Sequence, residues 1–211
     1  MKVPPPEPAV CSREVILVGS RGAGRVKTES PVPVDVIRLS DVGVNTARMD
    51  LTSTLNFVAP SFNYNKQSGA DGADHIDIGT LRGLGPDQTL VLINGKRQHS
   101  TAFVGLFGTR GRGNSGVDLN GFPQSAVDRI EILRDGAASQ YGSDAIAGVM
   151  NIILKDDVES GTLTLRTGIT GKGDGGMIGV AMNNGSKLGN NGFLNYTIFG
   201  TKFLNFYRHD T

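Results

Sequence analysis

The chain has 211 residues, enough to bury a core, and 21 Lys and Arg stand against 20 Asp and Glu. That balance excludes a surface built for a polyanion, so no nucleic-acid partner is expected. Thirty glycines, no Trp and few aromatics exclude an all-helical bundle and favour short extended segments joined by turns, and the lone Cys11 excludes an internal disulfide.

Residues 1–33 are rich in proline (positions 4, 5, 6, 8, 31 and 33) and carry Gly19, Gly22 and Gly24, so they read as a flexible tether. No basic end followed by an apolar stretch is visible, so no export signal is read there. Within the tether Glu14, Val15, Ile16, Leu17 and Val18 form a short β-prone segment able to add as a strand to another protein's sheet edge. An inert apolar patch is the other reading. The glycines after it lack the G-x-G-x-x-G spacing of a dinucleotide loop, and Pro31 and Pro33 stop any helix that would follow; no cofactor is expected.

From Val34 the character changes. Val34 to Ile37 predicts a strand, and Leu51, Leu55 and Val58 at i, i+4 and i+7 after a cap at Asp50 predict a short amphipathic helix. Ile76, Ile78 and Leu81 predict one strand, and the apolar run Leu90 to Ile93, closed by Asn94-Gly95, predicts another with a tight turn. Gly105, Gly108, Gly111, Gly113, Gly116 and Gly121 mark a glycine-rich loop. Strands follow at Arg129 to Leu133 and Val149 to Leu154, completing a small α+β unit over residues 34–155.

Residues 156–211 alternate with period two. Leu163, Leu165 and Ile169 alternate with Thr164, Arg166, Gly168 and Thr170, and Ile178, Val180 and Met182 with Gly179, Ala181 and Asn183. Leu194, Tyr196 and Ile198 alternate with Asn195 and Thr197, which makes three meandering strands with one apolar and one polar face. That pattern suits a soluble antiparallel sheet or strands crossing a bilayer at a tilt. His75, His99 and His209 show no metal-ligand spacing, and no Ser occupies a G-x-S-x-G turn, so neither a metal centre nor an enzyme is expected.

Two segments carry a family likeness. Residues 81–97, Leu-Arg-Gly-Leu-Gly-Pro-Asp-Gln-Thr-Leu-Val-Leu-Ile-Asn-Gly-Lys-Arg, resemble the central segment of TonB-dependent receptor plugs. Residues 126–136 and 141–153, with Arg129-Ile130-Glu131-Ile132-Leu133-Arg134-Asp135-Gly136 at their heart, resemble the end of the same domain. The order and spacing of both fit, and the likeness extends over roughly residues 14–155.

The resemblance implies an α+β plug, a small mixed sheet with short helices, followed by antiparallel strands of an incomplete transmembrane β-barrel. It implies a receptor of the cell outer membrane, plug in the barrel lumen and tether in the periplasm, for energised uptake of a scarce nutrient such as a ferric siderophore. The implied partners are TonB at residues 14–18, the barrel of the complete receptor, outer-membrane lipid and a nutrient ligand. Arg82, Glu131 and Arg134 match plug positions that face the barrel wall; Glu131 and Arg134 satisfying each other inside the plug is the alternative. Arg97, Gln98, His99 and Arg110 are the expected ligand-contacting loop residues, 65–74 and 98–114 being the loops that reach outward toward ligand; solvated loops without that role are the alternative. Three strands cannot close a barrel, which makes a truncated or split reading frame the expectation. A soluble periplasmic plug-like interaction or signalling module is the reading from another class.

Overall fold

The computed structural model describes residues 15–18, 25–26, 33–46, 50–66, 72–105, 111–158, 160–169, 175–189 and 192–204. At the start, β1 (Val15–Ile16) pairs antiparallel with β2 (Arg25–Val26). Then come β3 (Val34–Arg38), α1 (Leu39–Thr46), α2 (Leu51–Val58) and a two-residue pairing of β4 (Phe62–Asn63) with β5 (Thr80–Leu81). The stretch expected to be a strand from Ile76 to Leu81 is mostly irregular: a 3-10 turn covers Ala73–His75, and Ile78 makes an isolated bridge to Asp118.

Four more strands complete the unit. They are β6 (Thr89–Ile93), with the short return strand β7 (Lys96–Arg97), β8 (Val127–Leu133) and β9 (Gly148–Leu154); the four-residue helix α3 (Ala138–Tyr141) lies between the last two. Asn94 and Gly95, at φ 48° and 78°, close the β6–β7 hairpin in the left-handed pair that a two-residue turn requires. The sheet order is β3-β8-β9-β6-β7, antiparallel throughout except for the parallel neighbours β6 and β9. A mixed sheet with short helices is the architecture expected.

Both faces of this sheet are covered. On one, Val91, Val127, Ile130, Ile132, Met150 and Ile152 pack against Leu51 and Leu55 of α2, with Phe62, Leu81 and Leu119. On the other, Val34, Leu90, Leu92, Leu133 and Val149 pack against Ala137, Ala145 and two residues from the chain start, Ile16 and Val18. The period-two side-chain alternation of strands sends neighbours such as Ile132 and Leu133 to opposite cores. At roughly 1.5–3 kcal/mol per fully buried Ile, Leu or Val, these layers supply the main stabilisation of the unit.

A separate antiparallel sheet, β10 (Thr162–Gly168), β11 (Met177–Leu188) and β12 (Gly192–Phe203), follows in the order β10-β11-β12. Leu163 lies opposite Met182 and Met182 opposite Ile198, so the expected apolar positions share one face. Leu163, Leu165 and Ile198 are 76%, 67% and 65% exposed, so that face is bare. Gly179, Asn183 and Gly185 are buried on the opposite face, toward the mixed sheet. The sheet is not closed. Among the described residues no helix is long and apolar enough to cross a membrane, which says nothing of crossing by strands.

Candidate functional site

Three places bear on function: the cover formed by residues 15–18, the charged residues at the ends of β5 and β8, and the contact between the mixed sheet and the inner face of β10–β12. Glu14 and Arg110, both expected at functional sites, lie outside the described residues, as do Cys11 and His209.

The segment expected to hang in a tether is packed: Ile16 and Val18 are each 1% exposed, while Leu17 between them faces solvent. The amides of Leu17 and Val18 donate to Glu131 Oε2 at 2.9 and 3.3 Å. The same oxygen accepts from Asn151 Nδ2 at 3.3 Å, and Oε1 accepts from Arg129 Nε at 3.2 Å. Glu131 itself is 0% exposed. Its expected contact with a barrel wall is therefore corrected: a strand places alternate side chains on opposite faces, and Glu131 points into the core that residues 16–18 close. Pairing of Glu131 with Arg134 is corrected too, since Arg134 Nε meets Asp35 Oδ2 at 2.8 Å, across the β3–β8 edge.

Arg82 follows β5 in a left-handed conformation, φ 54°, with Gly83 at 73°. That turn aims its exposed guanidinium at two main-chain oxygens: Nη1 donates to Arg134 O at 2.9 Å and Nη2 to Ile146 O at 3.2 Å. Arg82 thus ties the end of β8 to the chain entering β9. A non-glycine residue held at positive φ stores strain of order 1–3 kcal/mol, which such bonds help to offset.

Of the residues expected in outward loops, Arg97 lies instead in the strand β7, is engaged with Asp144 and donates from Nη2 to Tyr141 O at 2.7 Å. Gln98 N donates to Val91 O at 3.0 Å, and His99 is exposed. The glycine-rich loop folds back on itself through Gly105 N to Asn114 O and Gly113 N to Gly105 O, at 3.0 and 2.7 Å.

A buried acidic network supports α2. Asp50 caps the helix by accepting from Ser53 N at 2.9 Å. Thr52 Oγ1 lies 3.0 Å from Asp50 Oδ2 and 3.1 Å from Asp77 Oδ2, so one hydroxyl hydrogen serves two carboxylates. Burial works against the charge on Asp50 but is outweighed by hydrogen bonds from Ser53 and Thr52 and by nearby Lys66, which hold the carboxyl below its ordinary range. Tyr64 donates its hydroxyl to Asp77 Oδ1 at 2.6 Å, and its pKa is pushed upward by burial, then by that bond and the Asp77 charge.

Between the mixed sheet and β10–β12 lies a half-open cleft of about 590 Å³ lined by Asp50, Lys66, Phe122, Lys155, Phe199 and Thr201, among others. One polar chain crosses this contact: Gln124 Nε2 donates to Thr54 Oγ1 of α2 at 3.0 Å, while its Oε1 accepts from Arg166 Nη1 of β10 at 3.1 Å. Sequence reading missed Gln124, whose only signal is a polar residue just before an apolar strand. Among the described residues no group of three His, Cys, Asp or Glu is placed to hold a metal ion.

A family model described as TonB-dependent Receptor Plug Domain matches residues 26–149. The ferric enterobactin receptor PirA of Pseudomonas aeruginosa is 35% identical over 161 residues, which cover 74% of this chain and 20% of that protein. The vitamin B12 transporter BtuB of Vibrio cholerae is 40% identical over 89 residues, covering 42% of this chain and 13% of that protein. Among solved structures, a mutant of the ferric enterobactin receptor PfeA of P. aeruginosa in complex with enterobactin superimposes with a TM-score of 0.58 at 29% identity, covering 81% of this chain and 24% of that one. The chain spans about a fifth or less of the length of these curated relatives.

Proposed function

This chain belongs to the TonB-dependent receptor plug domain family, and from that premise we propose that it is the plug region of a receptor that takes up a scarce nutrient, such as a ferric siderophore, across the cell outer membrane. In this reading residues 34–155 are the plug, 156–211 the first barrel strands, and 14–18 the segment that pairs with TonB. TonB, the remainder of the barrel, outer-membrane lipid and the nutrient are its partners.

The observation that carries the reading is the two-sidedness of β10–β12. Leu163, Leu165, Met182 and Ile198 are bare on the outer face, whereas Thr164, Arg166, Asn183 and Thr197 turn toward the mixed sheet. An apolar outside and a polar lumen side is what a lipid-facing barrel requires. A soluble module would instead leave that apolar face in water. In lipid the open edges of three strands would strand backbone donors and acceptors at several kcal/mol each, so further strands complete the wall in the working receptor.

A ferric chelate is favoured over other nutrients by the names of PirA and PfeA, while the likeness to BtuB warns that one plug design serves more than one cargo. The test is growth of an iron-starved strain whose own siderophore receptors are deleted and which expresses the complete receptor. Growth on ferric enterobactin that disappears when TonB is deleted is the expected result. Growth unaffected by TonB, or absent with every ferric chelate offered, would remove the reading.

A further inference from the structure

We propose that Glu131 is a latch that holds residues 15–18 docked and competes with a strand-adding partner for their main-chain donors. The proposal rests on the reading above only for the identity of that partner, TonB.

The face of the sheet under the segment is apolar except at its centre. The register sets Val36, Glu131, Asn151 and Leu92 in one row across β3, β8, β9 and β6, beneath the row Val34, Leu133, Val149 and Leu90. Glu131 and Asn151 are both 0% exposed, and a carboxylate buried at such a place needs donors. Two of them are the consecutive amides of Leu17 and Val18, at 2.9 and 3.3 Å. Asn151 and Arg129 hold the carboxylate from the other side at 3.3 and 3.2 Å, so it stays aimed at the segment.

The side chains and the main chain of the segment therefore do different jobs. Ile16 and Val18 fill the apolar face, while Glu131 captures main-chain N–H groups regardless of side chain. An invading strand on one edge takes alternate N–H groups and so needs one of these two, and Glu131 and the partner exclude each other at that amide. Release is not penalised at Glu131 itself, because an uncovered carboxylate is solvated by water. An apolar residue in its place would leave the two amides without that acceptor and would expose new apolar surface whenever the segment left. Partner affinity is then scaled by the fraction of molecules already undocked.

The test uses the full chain in detergent, with amide exchange read at Leu17 and Val18 and binding measured to the C-terminal domain of TonB. Glu131→Gln removes the charge that strengthens these bonds, and Glu131→Asp withdraws the carboxylate by one methylene. Both variants are expected to speed exchange at 17 and 18 by about tenfold and to tighten TonB binding by a similar factor, with the amides of Ile132 and Ile152 still protected. Unchanged exchange at 17 and 18 overturns the latch, as does loss of protection at Ile132 and Ile152 in both variants, which would make Glu131 a plain core residue. Faster exchange with no capture by TonB leaves the latch standing and removes TonB as its partner. TonB binding that is equal in wild type and variants, with equal exchange, removes the latch and leaves the TonB reading intact.

Discussion

Gly185 of β11 lies so close under Asp157 that a Cβ at this position would overlap the Asp157 carbonyl oxygen. Asn195, directly opposite Gly185 on β12, donates from Nδ2 to that same carbonyl at 2.9 Å. The chain leaving the mixed sheet is thereby pinned to the inner face of the strands at a point where no side chain fits. Gly185→Ala should push this connection away, break the Asn195 bond and destabilise the contact by about 1–3 kcal/mol. Protease cutting between residues 155 and 161 should rise in that variant. Gly200→Ala is the control, since a Cβ there meets nothing within 4 Å and cutting should not change.

The cap on α2 makes stability depend on acid. The Asp50 carboxyl is held below its ordinary 3.8, so the bonds it accepts from Ser53 and Thr52 contribute fully above that value and are lost as pH falls through the lower folded value. Asp50→Ala should cost about 1 kcal/mol at neutral pH. Asp50→Asn keeps an acceptor but no charge, so it should cost less and flatten the decline as pH falls from neutral through 3.8 and below. Denaturant unfolding of both variants against wild type over that range decides it; parallel curves for wild type and Asp50→Asn would refute the charged cap.

The strands of the mixed sheet were legible because their cue is local. Leu90 to Ile93 is an unbroken apolar run beside a glycine turn, Val149 to Leu154 is apolar but for Asn151, and Asp50 announces α2 three residues ahead of the amide it accepts. Helix α1 was not legible, because Leu-Ser-Asp-Val-Gly-Val-Asn-Thr carries a central glycine and no apolar stripe; it forms where β3 ends, packed by Leu39 against the core. Glu131 was misplaced for a different reason. Its surroundings depend on amides 113 and 114 residues away, and no spacing rule within β8 reports a cover that comes from the chain start. A charge inside the run Val127 to Leu133 signals a special environment but does not say which.

Arg82 and Arg134 separate by mutation although both were expected at one wall. Arg134 pairs with Asp35 at 44% and 32% side-chain exposure, where an ion pair contributes at most about 1 kcal/mol. Arg82 binds two main-chain oxygens from two segments, so Arg82→Ala should cost more, on the order of 1–2 kcal/mol, and should loosen the 134–146 stretch. Unfolding midpoints of the two alanine variants give the order. If Arg134→Ala proves the more damaging, the tie between β8 and β9 made by Arg82 is not the stronger of the two.

The last prediction turns on which side of β10–β12 meets lipid. Ile198 stands on the outer face opposite Met182, and Thr201 on the inner face opposite Gly179, beside the cleft. An arginine at the middle of a lipid-facing strand costs about 2–4 kcal/mol, whereas one facing the lumen keeps its water. In the complete receptor Ile198→Arg should therefore impair assembly in the outer membrane and lower resistance to unfolding, while Thr201→Arg should be tolerated. A soluble sheet gives no reason for Ile198→Arg to be the more damaging, since that side chain would then point into water. Equal assembly of the two variants, followed by membrane fractionation and heat-shifted gel mobility, would take the strands out of the bilayer and the uptake reading with them.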